Sequence, residues 1–66
     1  MEKLKKHIQS IIDIFKSGNL LKAEHACKKL INENSKVAFL YNLLGLILTG
    51  QKKFDQAIKY YELGIT

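Results

Sequence analysis

The sequence predicts an all-α domain of four helices folded as two antiparallel hairpins. Apolar residues recur at steps of three and four along four segments. Polar breaks at Ser17-Gly18-Asn19, Asn34-Ser35-Lys36 and Gly50-Gln51-Lys52-Lys53 separate those segments, and the composition is 47% hydrophobic and 26% charged with no proline. The spacing is that of helix stripes. The balance suits a folded helical domain and neither a disordered tail nor a collagen-like chain. At 66 residues the chain holds one compact unit at most, which excludes a cofactor-binding α/β enzyme. Cores of this size supply only about 3–5 kcal/mol, so further support from a partner or from additional chain is expected.

Each element follows from its own residues. Leu4, Ile8, Ile11, Ile12 and Phe15 form one stripe of a first helix, about Glu2 to Lys16. Gly18 can take the left-handed conformation that ends it, and Asn19 can cap the next helix through its side-chain oxygen. The second helix, about Leu20 to Asn32, carries Leu20, Ala23, Ala26, Cys27, Leu30 and Ile31 on one side. Lys22, Glu24, Lys28, Lys29 and Glu33 are expected mostly on the other. Asn34-Ser35-Lys36 offers a turn and a cap for a third helix, about Lys36 to Thr49. That helix is apolar around nearly its whole circumference, so it should be central and covered on more than one side. Phe54, Ala57, Ile58, Tyr61 and Ile65 mark a fourth helix from about Phe54 onward.

The net charge of +5 comes from 11 basic residues, all lysine, against 6 acidic ones. Phosphate and base recognition rely on the planar fork of arginine, which lysine lacks. The lysines are spread over both halves and form no basic arm, which favours solvated helix faces over nucleic-acid binding. Cys27 is the single cysteine, so no intramolecular disulfide is possible and a reducing cytoplasm is the expected setting. The amino-terminal stretch lacks the uninterrupted apolar run and cleavage site of a signal peptide. The most apolar run, Val37 to Leu48, is well short of the roughly 20 residues that span a bilayer.

Shifting the chain by 34 residues pairs Leu4 with Ala38, Ile12 with Leu46, Leu20 with Phe54, Ala23 with Ala57, Cys27 with Tyr61 and Ile31 with Ile65, matching residue class and helix phase. In the second copy, Tyr41-x2-Leu44-Gly45-x2-Leu48 followed by Ala57-x3-Tyr61 resembles the tetratricopeptide repeat in both residues and spacing. Gly45 and Ala57 are small where the helices of a hairpin approach, with Ala23 in the matching place of the first copy. Tyr41, Leu48, Phe54 and Tyr61 would fill the space around that contact, and Leu44 with Gly45 is the Leu-Gly pair of the signature. The resemblance covers one domain of residues 1–66. Its first repeat, about 4–36, is degenerate, and its second, about 38–66, is truncated or terminal. Ile11 stands where the family favours a small residue, Cys27 and Leu30 replace an aromatic and a small residue, and Gly64 replaces the usual alanine. The fold it implies is a short right-handed α-solenoid of two stacked hairpins.

The same residues form no catalytic or metal-binding pattern. Gly45 to Lys52 approaches a phosphate-binding loop, but Gln51 separates glycine from lysine and the segment reads as helix. His25 and Cys27 sit two apart on one helix and face different directions, and His7 is the one further nitrogen ligand, whereas zinc takes about four converging ligands. Cys27 falls on the apolar stripe, where a thiol packs rather than attacks. The carboxylates Glu2, Asp13, Glu24, Glu33, Asp55 and Glu62 form no evident pair. The expectation is no enzyme activity, no metal and no cofactor.

The resemblance implies an interaction module whose first helix of each pair lines a concave surface for a peptide or protein segment. Carried over position by position, that surface comprises Lys5, Ile8, Ile12, Phe15 and Lys16 with Phe39, Asn42, Leu46 and Thr49. Ile8, Ile12 and Phe15 could equally be core. Neither the Lys/Asn carboxylate clamp nor the asparagine ladder of some family members is present, because Ile8, Ile12, Leu43 and Phe39 occupy those places. Repeat stacks usually need about three units. The chain is therefore expected to be the amino-terminal part of a longer bacterial repeat protein, with a downstream transferase domain possible. The alternatives are a small adaptor that dimerises through its apolar end and a lysine-rich module for an anionic surface, nucleic acid or membrane, whose binding would collapse with salt.

Overall fold

A computed structural model of the chain describes residues 2–65, with side chains from residue 3 to residue 64. Four helices follow one another: α1 (Glu2–Lys16), α2 (Leu20–Glu33), α3 (Ala38–Gly50) and α4 (Phe54–Ile65). Among the described residues there is no strand. Each helix packs on the next in chain order, α1 on α2, α2 on α3 and α3 on α4. The result is a flat body of 31 × 29 × 14 Å. No helix among the described residues is long and apolar enough to cross a membrane.

The breaks act through the residues that suggested them. Gly18 has φ +92°, and its N–H reaches Phe15 O at 3.1 Å, closing α1. Asn19 caps α2, its Oδ1 accepting from Lys22 N at 3.2 Å. Asn34 ends α2 instead of opening α3: its backbone N–H bonds Leu30 O and Ile31 O, and its Nδ2 donates to Leu30 O at 3.1 Å. The cap expected from Asn34-Ser35-Lys36 is therefore absent. Val37 holds the N-cap position of α3 without a side-chain bond, and the helix begins at Ala38, later than the composition suggested. Lys52 closes α3 in the left-handed region at φ 64°, with Lys53 N donating to Leu48 O at 2.9 Å and Lys52 N to Thr49 O at 2.9 Å. That bonding pattern, usually completed by glycine, recovers carbonyls that a helix end otherwise leaves unpaired.

The core sits on α3. Leu40, Leu44, Ile47 and Leu48 are fully enclosed, with Leu43 and Gly45 also buried. Ile11 of α1, Ala23, Cys27, Leu30 and Ile31 of α2, and Ala57 of α4 complete the cluster. Burial of one such aliphatic side chain is worth about 1.5–3 kcal/mol, so α3 carries the largest share of the apolar stabilisation. The expected placement of Glu24 on the solvent side is incorrect, since this carboxylate is buried with the α2 core residues. Phe54 likewise fills no interhelical gap: it is 55% exposed, because no element among the described residues covers that flank of α4. Ile65, expected on the same stripe, has a side chain outside the described ones.

Candidate functional site

The most exposed apolar side chains of α3 are Phe39 and Leu46, at 52% and 47%. They are seven residues apart, two turns or about 10 Å along one face. No residue of α3 is charged, so this face presents apolar groups and neutral amides to solvent. Asn42 and Thr49 lie on its flank toward α4. A methyl placed on Gly64 would meet the Asn42 side chain, with Cγ at 2.9 Å. Thr49 Oγ1 donates to Gly45 O at 2.8 Å and lies 3.4 Å from Tyr61 Oη.

On α1, Lys5 and Lys16 are exposed, whereas Ile8, Ile12 and Phe15 are half-buried against the core. The ends of α1 and α3 meet where Phe15 and Leu20 approach Gly50. A Cβ there would lie 3.4 Å from Leu20 Cδ1 and 3.6 Å from Phe15 Cε1. Of the positions expected on the surface, Phe39, Leu46, Lys5 and Lys16 are thus freely presented, and the isoleucines of α1 divide their area between core and solvent.

Beneath this face, the α3–α4 contact is built around Gly45. A Cβ at Gly45 would stand 2.7–2.9 Å from the Tyr61 ring, so the glycine is what lets the ring lie on the α3 backbone. Ala57 is buried on the same contact, and Ala23 is wholly buried on α2. Tyr41 stacks on Tyr60 with ring centroids 6.5 Å apart, and its hydroxyl donates to Ser35 O at 2.7 Å. Tyr60 did not stand out in the sequence, because its partner is an aromatic on another helix.

Glu24 is the other feature that the sequence did not disclose. Its Oε1 accepts from Gln51 Nε2 at 2.6 Å and lies 3.4 Å from Lys53 Nζ, while its Oε2 is 2.7 Å from Lys28 Nζ. The bond from Lys28, reinforced by Gln51 and Lys53, outweighs burial and lowers the carboxyl from 4.5 to about 2. Lys28 is raised in turn by the same bond. One α2 carboxylate therefore ties down the α3–α4 connection. Cys27 Sγ donates to Leu40 O at 3.4 Å, and burial pushes the thiol up to about 11. It is a packed, protonated group. Gly45 to Gly50 lies inside α3 with its N–H groups in the helix. Among the described residues no three His, Cys, Asp or Glu side chains gather as metal ligands would.

An open cleft of about 310 Å³ lies along the α1–α2 pair, lined by His7, Ser10, Ile11, Ile14, Ala26, Lys29, Leu30 and Glu33. It has an apolar floor and a polar rim. No family model, curated protein or solved structure matches the chain.

Proposed function

We propose that the chain is a protein-interaction module that holds a peptide or protein segment against the face carried by α3 and flanked by α1, in two stacked hairpins of tetratricopeptide type. The observation that carries this is the pair Phe39 and Leu46, left about half exposed on a helix whose other large aliphatic side chains are buried. Exposing both on a charge-free face sacrifices burial that this small core would otherwise use, and a partner segment restores it. The fit of Tyr61 over Gly45 and the enclosure of Ala57 support the tetratricopeptide arrangement. The lone, protonated Cys27 suits a reducing compartment such as a bacterial cytoplasm.

The test is selection of binders from a displayed random-peptide library, followed by affinity measurement against variants. Peptides that bind through this face should lose at least about tenfold in affinity on Phe39→Ser or Leu46→Ser, a loss of about 1.4 kcal/mol or more. They should be little affected by Leu21→Ser on α2, itself 63% exposed, and nearly unaffected by salt. Binding that ignores Phe39 and Leu46 would place the site elsewhere, and binding that collapses as salt rises would make the surface an anion-binding one.

A further inference from the structure

The two ends of the helix stack differ in chemistry. The face of α2 that receives α3 is fixed by three contacts: Leu20 against Gly50, Glu24 with Gln51 at 2.6 Å, and Cys27 with Leu40 O at 3.4 Å. Thirty-four residues on, the equivalent positions of α4 are Phe54, Ile58 and Tyr61. Among the described residues nothing covers the first two, since Phe54 and Ile58 are each 55% exposed against 7% for Glu24, while Tyr61 turns its ring onto Gly45 of α3. Glu24, the buried charge of the receiving face of α2, is replaced by isoleucine, while its ion-pair partner Lys28 has Glu62 as its counterpart, so the free α4 face is apolar where the α2 face holds its buried carboxylate.

The opposite end has changed in the other direction. Tyr41, Leu44 and Leu63 have as counterparts His7, Ser10 and Lys29, which rim the α1–α2 cleft together with Glu33. Leu44 is fully enclosed in the core, whereas His7, Ser10 and Lys29 are all exposed. One end of the stack is thus polar and the other apolar.

We infer that the occupant of the α4 face is a second copy of this chain, docked by a two-fold axis with α4 against α4, an inference that rests on the stacked-hairpin proposal above. Three observations select the second copy. A head-to-tail contact would press Phe54 and Ile58 onto the polar rim of the other end, whereas a two-fold contact joins like apolar faces and closes. Such a dimer stacks twice the hairpins of one chain, passing the roughly three units such arrays need, and leaves polar residues at both outer ends. The lysine excess resides outside α4, whose charges are Asp55, Lys59 and Glu62, so pairing through α4 keeps the lysine-rich α1 helices at the far ends of the assembly. A single helix face offers less than the roughly 800 Å² per partner of a standard interface, which puts this contact in the weak, concentration-dependent class.

Sedimentation equilibrium of the chain, loaded from about 5 μM to about 1 mM, tests this directly. The expected result is an average mass that rises from 7.6 kDa and levels at two chains. Ile58→Glu should weaken association by at least about tenfold, and Leu21→Gln should leave it intact. Because Ile58→Glu could lower helicity by removing the dimer, the milder Phe54→Gln is run beside it with circular dichroism. Helical but monomeric Phe54→Gln protein at concentrations where the parent is dimeric would support the interface. Ser10→Leu with Lys29→Leu should convert the closed dimer into an open series of larger species. A parent that stays monomeric throughout, a mass that climbs past two chains without levelling, or a dimer untouched by Ile58→Glu and Phe54→Gln would overturn it. None of these outcomes depends on Phe39 or Leu46, so failure here leaves peptide binding to be judged separately.

Discussion

Gly45 and Cys27 reach the same end, close packing on α3, by opposite physics. At Gly45, an added methyl would overlap the Tyr61 ring at 2.7–2.9 Å. Alanine improves helix propensity by about 1 kcal/mol, but overpacking costs about 1–3 kcal/mol. Gly45→Ala should therefore destabilise by about 1 kcal/mol in urea titrations followed by circular dichroism. In a Tyr61→Ala background the same change should stabilise, because the clash is gone and the propensity gain remains. A Gly45→Ala penalty that survives loss of the ring would place its cause elsewhere. Cys27 is held as a thiol by desolvation. The unfolded chain ionises near 9 while the folded chain keeps its proton to about 11, so this group leaves stability unchanged below pH 9 and erodes it as pH rises from 9 toward 11. Labelling by iodoacetamide at pH 8 should follow the unfolding rate and not the free-thiol rate. Rapid labelling of fully folded protein would show the thiol to be accessible.

At the scale of the element, two positions with positive φ predict opposite outcomes. Gly18 has open space around its Cα, so Gly18→Ala should cost about 1 kcal/mol through backbone conformation alone. Lys52, already left-handed at φ 64°, should gain from Lys52→Gly by up to about 1 kcal/mol in the same titration. The buried Glu24 gives the fold its acid sensitivity. Its carboxyl is lowered from 4.5 to about 2, so the stabilisation is complete above pH 4.5 and is lost as pH falls toward 2. Lys28 and Lys53 are 45% and 39% exposed, and solvent screening reduces the contribution to about 1–2 kcal/mol. Glu24→Gln should cost that much at pH 7 and almost nothing at pH 2, and an equal gap at both values would assign the loss to packing. Helix bounds were legible because Gly18 and Asn19 act through local backbone chemistry. Glu24 was missed because a carboxylate reads as solvent-facing, although Leu20, Glu24, Cys27 and Ile31 are spaced four, three and four apart and that phase already places it on the stripe. The surface of α3 was harder to read still, since an all-apolar helix carries no internal sign of which residues stay uncovered.

For the whole molecule, packing in chain order makes stability a matter of nearest neighbours. α3 packs on both α2 and α4, whereas α1 packs chiefly on α2, with Phe15 approaching α3 at Gly50. When a helix opens locally, the free energy of opening reflects the contacts that helix makes and not the full unfolding energy of the chain. Among the described residues α1 contributes Ile11 to the buried core, while α3 contributes Leu40, Leu43, Leu44, Ile47 and Leu48. Hydrogen exchange should accordingly show the slowest amides at Leu44 to Leu48, intermediate protection in α2, and fast exchange along α1 through its independent opening. Ile11→Ala should accelerate α1 alone, leaving the α3 amides nearly unchanged, because α3 keeps its contacts with α2 and α4 when α1 departs. If α1 and α3 instead exchanged at one common rate that Ile11→Ala raised in both, the chain would open as a single cooperative unit, and the independence of the α1 end would be lost.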